Sequence, residues 1–157
     1  MKVEEVVQLT PLIRRVTASN ASVFTGPGTN TYLIGKEEVT VLDPGPAIDT
    51  HIEAILKASM KIKQIVVTHT HPDHSPGTKL LQKELDIPAY GMITETPKGQ
   101  DTSFHPARIL SDGEILIEDS YSLEVIHTPG HASNHLCYLL KEEGIIFTGD
   151  HVMQGST

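Results

Sequence analysis

Tryptophan is absent from this chain of 157 residues, and with three phenylalanines and four tyrosines the aromatic share is only 4%. Hydrophobic residues still make up 38%, an ordinary globular proportion, and a chain of this length can bury a good core. The single cysteine, Cys137, excludes an internal disulfide framework and agrees with a reducing compartment. Set within the apolar run Leu136 to Leu140, it is expected to be a buried core residue. No apolar run approaches the roughly 20 residues of a membrane span. The opening stretch, Met1-Lys2-Val3-Glu4-Glu5-Val6-Val7, lacks the basic and apolar regions of a signal peptide. The expectation is a cytoplasmic protein with no membrane contact. Basic residues are also scarce: 12 against 20 acidic ones leave a net charge of −8, which argues against a broad nucleic-acid surface. No short-period repeat and no low-complexity tract occurs.

What is present is a dense ligand cluster. Thr68-His69-Thr70-His71-Pro72-Asp73-His74-Ser75 follows directly on the apolar run Ile65-Val66-Val67, which places it on a loop at the end of a strand. Residues two apart in an extended segment point to one side, so His69 and His71 can reach one ion together. Pro72 has a fixed φ and turns the chain, so Asp73 and His74 can face a second ion beside the first. Imidazole suits zinc, iron or nickel, and a mixed imidazole and carboxylate set is compatible with zinc, manganese or iron. Two further ligand candidates recur downstream, each after an expected strand and a small-residue turn. They are His131 in Thr128-Pro129-Gly130-His131 and Asp150 in Phe147-Thr148-Gly149-Asp150. Paired metals commonly lie about 3.5–4 Å apart, and Asp150 is the expected bridge.

These residues resemble the metallo-β-lactamase superfamily over nearly the whole chain. Four of the family's five motifs are present in order: Asp43 in Leu42-Asp43-Pro44-Gly45, the cluster His69, His71, Asp73 and His74, then His131, then Asp150. The resemblance implies an α+β fold, a four-layer αββα sandwich made of two similar halves. It implies one zinc on His69, His71 and His131, and a second on Asp73, His74 and the bridging Asp150. Asp43 would not bind metal but would order the histidine loop, since carboxylates in such a position fix ring orientation and tautomer. Within the superfamily the chain is similar to the β-lactamase-like protein 2 subgroup. The likeness rests on Gly26-Pro27-Gly28-Thr29-Asn30-Thr31-Tyr32-Leu33, the string from His69 to Ser75, and Thr128-Pro129-Gly130-His131 followed by His135. His135 is expected behind the metals or facing substrate. His151, next to Asp150, is expected to point away, and His51, His105 and His127 are expected to be ordinary loop or strand residues.

The family's fifth motif, a histidine well beyond Asp150, has no counterpart before Thr157. The expectation is therefore one domain over 1–157, truncated after the fourth motif, with its second half incomplete. The second metal would be less firmly held, activity would be low, and the face left by the missing half would favour self-association. The ending Gly155-Ser156-Thr157 reads as neither a helix cap nor a strand end.

Local patterns give the elements. Val6 to Val16 reads as a strand pair interrupted by Pro11, and Asn30 to Ile34 with Val39 to Leu42 as a hairpin. Ile52, Ile55, Leu56 and Met60 predict a helix over Thr50 to Met60, capped by Asp49 or Thr50. Lys63 to Thr68 reads as a buried strand and Thr78 to Leu85 as a second helix. Ile93 to His105 reads as an active-site loop or a flexible excursion, and Ser111 to Glu114 as a turn. Ser120 to His127, Leu136 to Leu140 and Ile145 to Phe147 read as strands, the last two joined by the turn Lys141-Glu142-Glu143-Gly144.

The expected chemistry is hydrolysis by a hydroxide held between two zinc ions, with Asp73 as the catalytic carboxylate that orients it. Manganese or iron are alternatives to zinc. The subgroup resemblance points to phosphodiesters, single-stranded RNA in particular; small-molecule substrates are the other class. A thioesterase resembling glyoxalase II, which shares the T-H-x-H-x-D-H string, is the alternative, followed by an inactive metal-binding fragment. A β-lactamase is disfavoured by the lack of a secretion signal.

Overall fold

The computed structural model describes residues 2–59, 61–96 and 98–153. Strands β1 (Val6–Gln8), β2 (Ile13–Thr17), β3 (Asn30–Ile34) and β4 (Val39–Leu42) form an antiparallel meander. The chain then changes to parallel pairing through helix α1 (Asp49–Ala58), strand β5 (Ile62–Val66), helix α2 (Gly77–Glu84), strand β6 (Ala89–Gly91) and strand β7 (Arg108–Ile109). The result is one seven-stranded sheet in the order β1 to β7. Strands β8 (Ile115–Ile117), β9 (Ser122–His127), β10 (Leu136–Leu140) and β11 (Ile145–Phe147) make a second, antiparallel sheet.

Alternation along the strands divides the core in two. Leu33, Val41, Ile65 and Val67 face α1 and α2 with Ile52, Ile55 and Leu81. Their neighbours Ile34, Leu42 and Val66 face the second sheet with Leu123, Val125, Leu136, Tyr138 and Leu140. Both faces of the first sheet are covered, so β4 is buried at every position, as a parallel-type strand requires. The described residues thus form three layers, helix, sheet and sheet. Among them no helix covers the far face of the second sheet, where Ile115, Ile117 and Ile146 are exposed.

Most expected elements occur within two residues of their predicted bounds. Helix α1 starts one residue early, after an extended Ile48 that offers no side-chain cap. Asp49, an expected cap, is instead the first helical residue, where its charge suits the positive helix end. Met60, the expected end of that helix, lies outside the described residues, as do Pro97 and the ending 154–157. The short strands β6, β7 and β8 were not expected. They hold two or three residues each and are defined by pairing across the sheets rather than by any local pattern.

Candidate metal centre

The site forms where strand ends of both sheets meet. Strand β5 runs out through Val67 and Thr68 into the histidine loop, and α2 begins directly after it. Three hydrogen bonds to backbone carbonyls tie this exit to its surroundings. The Leu136 N–H donates to the Thr68 carbonyl at 2.7 Å and the Asp101 N–H to the Thr70 carbonyl at 2.6 Å, while the buried Tyr138 hydroxyl donates to the Val67 carbonyl at 2.7 Å. The second sheet supplies His131 from the β9–β10 loop and Asp150 just past β11. Gly149 delivers Asp150 with a left-handed φ of 47°, and a Cβ there would lie 2.7 Å from His135 Nε2 and 2.8 Å from Thr68 Oγ1. Only glycine fits that approach.

All six expected ligands come together. His69, His71, His131 and Asp150 form one group able to hold a metal ion, and Asp73, His74 and Asp150 form another, with Asp150 common to both. His71 Nδ1 lies 3.0 Å from His69 Nε2 and 2.9 Å from His131 Nε2. His74 Nε2 lies 3.4 Å from Asp73 Oδ2 and 3.3 Å from Asp150 Oδ1, and Asp150 Oδ2 lies 3.3 Å from His131 Nε2. A tetrahedral ion with bonds of about 2.0–2.1 Å separates its ligand atoms by about 3.3 Å. The donors therefore already stand at the spacing of a coordination shell, and the residues fit a metal.

Their orientation comes from outside the shell. Asp43, buried at 2% exposure, accepts the Thr68 N–H at 2.7 Å on one oxygen. Its other oxygen takes the Thr68 hydroxyl at 2.7 Å and His74 Nδ1 at 2.9 Å. With its single hydrogen given to Asp43, the Thr68 hydroxyl accepts from His69 Nδ1 at 3.0 Å. His69 and His74 are thereby both turned with Nε2 toward the metal positions, the tautomer following from the partner. His135 is buried beside them. Its Nε2 accepts the Asp150 N–H at 3.2 Å, its Nδ1 faces Thr128 Oγ1 at 2.9 Å, and its ring lies 5.0 Å from that of His69.

Charge states divide the histidines. Burial, reinforced by neighbouring imidazoles, pushes His69 well below the ordinary histidine range and lowers His71, and burial takes His135 down to about 4. His74 goes the other way: burial opposes its charge, but Asp43, Asp150 and Asp73 together raise it well above the ordinary value. Asp73 is favoured by burial as the neutral acid, yet His74 and Thr29 outweigh this and hold it down to about 2.

The metal-free protein should therefore lose stability in acid. His69 and His135 stay neutral when folded over a range in which they charge in the unfolded chain, so the unfolded chain binds more protons below about pH 6.5. Their contribution is present above that pH and is lost as pH falls toward about 4, at up to roughly 1.4 kcal/mol per pH unit for each group. His74 has the opposite sign: its contribution is full below about pH 6.5 and lost as pH rises through its raised folded value. Thermal melts of chelator-treated protein should give a Tm that drops steadily from pH 6.5 to 4. A flat profile there would contradict the buried-neutral assignment.

The other expectations resolve individually. His151 is exposed and belongs to neither donor group. His105 lies exposed in the loop after β6, and His127 ends β9 with Nε2 3.0 Å from the Ser133 carbonyl. Cys137 is buried, as expected. His51, expected as a loop or strand residue, is instead fully buried within α1 and hydrogen-bonded on both nitrogens. A histidine at a core position of an amphipathic helix was the available signal. Sequence reasoning also missed Thr29 and Asn20. The Thr29 hydroxyl donates to Asp73 Oδ2 at 2.9 Å, and Asn20 grips Thr29 by side chain and backbone at 3.0 and 2.9 Å.

The fold has close structural counterparts. A β-lactamase domain protein from Burkholderia ambifaria superposes with a TM-score of 0.80 over 99% of this chain and 58% of its own, at 18% identity. The BLEG-1 B3 metallo-beta-lactamase does so with a TM-score of 0.71 over 91% of this chain and 74% of its own, at 22% identity. At such identities the likeness establishes the fold alone, a metallo-β-lactamase fold. The family model of the metallo-beta-lactamase superfamily matches residues 24–157, and the chain belongs to that superfamily. Curated relatives include an atrochrysone carboxyl ACP thioesterase of Paecilomyces divaricatus, 31% identical over 98% of this chain and 48% of the relative. One of the same name from Aspergillus chevalieri is 33% identical over 95% and 48%. A lactamase-like protein of Pestalotiopsis fici is 30% identical over 98% and 49%. The chain spans about half the length of the curated relatives it matches.

Proposed function

We propose that this chain carries the metal centre of a zinc-dependent hydrolase acting on acyl thioesters. The observation that carries the hydrolase reading is the pair of donor groups sharing Asp150. Zinc suits a set dominated by imidazole with carboxylates completing it. When bound, it supplies an acidified water, with a pKa near 7, and positive charge for an oxygen that gains electrons.

The chain's own groups do the rest. Asp73 is held from one side by the Thr29 hydroxyl and stands 3.4 Å from His74. A carboxylate kept as acidic as about 2 does not retain a proton near neutrality. Its role is to orient the attacking water by accepting a hydrogen bond. The water oxygen bonds to the acyl carbon as its proton passes to solvent, the C–S bond then breaks, and the leaving thiolate takes a proton from solvent.

Thioesters are favoured over phosphodiesters on three grounds. Relatives matching nearly the whole chain are named as thioesterases. The net charge of −8 disfavours a polyanionic substrate. The loop between β2 and β3, joined to Asp73 through Thr29, exposes Val23 and Phe24, apolar surface suited to an acyl chain. A cavity of about 200 Å³ lined by Thr70, Ile93, Phe104 and His105 opens beside the histidine loop as further room.

The test is a substrate panel on zinc-loaded protein: short and long acyl thioesters of N-acetylcysteamine, a single-stranded RNA oligonucleotide and an activated phosphodiester. Thioester turnover that stops on chelation and falls by about 10²-fold or more in Asp73→Asn is expected. RNA cleavage without thioester turnover would overturn the substrate assignment.

A further inference from the structure

We propose that Glu4 and His51, outside the donor groups, are positioning residues for the metal centre, acting through Thr31 on the backbone of Asp43. The inference rests on the metal-centre reading above. His51 is fully buried in α1 and belongs to neither donor group. Its Nδ1 stands 2.8 Å from Glu4 Oε2 and its Nε2 2.8 Å from Thr31 Oγ1. The Thr31 hydroxyl donates to the Asp43 carbonyl at 2.6 Å. A hydroxyl has one hydrogen, so with it committed to Asp43, Thr31 must accept from His51 Nε2–H. That leaves a single proton between His51 Nδ1 and the Glu4 carboxylate. Glu4 is itself fixed, since Oε1 accepts the Ser19 N–H at 3.0 Å and its N–H donates to the Thr17 carbonyl at 2.8 Å.

The two ends of this chain of bonds share an unusual backbone. Glu4 at φ 57° and Asp43 at φ 51° are the non-glycine residues with positive φ among the described residues. Such conformations persist where surrounding contacts hold them. At Asp43 the consequence is functional, because that backbone aims the carboxylate at Thr68 and His74. The His51 ring also lies under the next turn. A Cβ at Gly45, whose φ is 79°, would come within 3.0 Å of His51 Nε2, and the Gly45 N–H donates to the His74 carbonyl at 2.9 Å. An aliphatic side chain of similar size would fill the space but could not donate to Thr31. The polar chain therefore does what packing alone cannot: it sets the geometry of Asp43 and, through it, of His74.

The experiment measures zinc affinity by competition with a chromophoric chelator, independently of any catalytic activity. Thr31→Val and Glu4→Ala break the chain of bonds and should weaken zinc binding by about 10–100-fold, the usual cost of losing an outer partner of a metal site. Thr31→Ser and Glu4→Gln keep a hydroxyl and a hydrogen-bonding carbonyl or amide, and should stay close to wild type. Ile55→Val, in the same helix, controls for stability: it should lower Tm without changing zinc affinity. Wild-type affinity in folded Thr31→Val and Glu4→Ala overturns the inference and leaves the metal centre intact. A folded wild-type protein that binds no zinc overturns the metal-centre reading and this inference with it.

Discussion

Asp150→Asn is expected to empty both halves of the metal centre with one substitution. Asp150 is the residue common to the two donor groups, with one oxygen 3.3 Å from His74 Nε2 and the other 3.3 Å from His131 Nε2. An amide of the same shape has no charge and presents only one good acceptor, so it cannot serve two cations at once. On the proposed zinc reading, elemental analysis should show Asp150→Asn holding less than one equivalent, below the wild-type content. Hydrolysis should fall by more than the roughly 10–100-fold that follows loss of an outer partner. His131→Ala, touching only the first group, should reduce zinc less. Wild-type zinc content retained in Asp150→Asn with undiminished turnover would show that Asp150 does not bridge.

The largest loss of stability is expected from Asp43→Ala. The carboxylate is buried and accepts from the Thr68 backbone, the Thr68 hydroxyl and His74 Nδ1. Removing it orphans these donors and leaves His74 without the partner that most favours its charge. Breaking a buried, hydrogen-bonded pair from one side costs about 3–5 kcal/mol. In a domain of this size that is a fall in Tm of roughly 10 °C. Alanine also inherits the left-handed φ of 51°, which no Cβ favours. Denaturant unfolding of the metal-free protein measures the difference. A loss below about 1 kcal/mol would mean that water replaces the carboxylate, and that Asp43 does not organise the loop.

The ligand set was legible because its information is local. His69, His71, Asp73 and His74 lie within six positions after an apolar strand, and spacing alone places them at one strand end. His131 and Asp150 were legible for a related reason, each following a strand and a small-residue turn. Asp43 was recognised through the resemblance. The substrate was read less well: the subgroup likeness put RNA ahead of thioesters, whereas the relatives matching this chain are named as thioesterases. A set of metal-donor motifs carries no information on the part of a substrate that distinguishes one hydrolase from another.

What escaped was non-local. Thr29 contacts Asp73 across 44 positions, His51 reaches Glu4 across 47, and Tyr138 reaches the Val67 carbonyl across 71. No periodicity reports such pairs. His51 was misread because it was weighed as a possible ligand and not as part of a helix face. Strands β6 to β8 were missed because two or three residues carry no alternation to detect, and only a neighbouring strand makes them strands.

By itself, the sequence determined the donor chemistry, the strand-end placement of that chemistry and the alternating αβ order, all consequences of composition and short-range spacing. Tertiary structure alone decided which nitrogens face the candidate metal positions, which charges they carry and what holds Asp43 in its left-handed turn. Those depend on who donates to whom across two sheets and a helix, and that pairing exists only once the chain has closed around it.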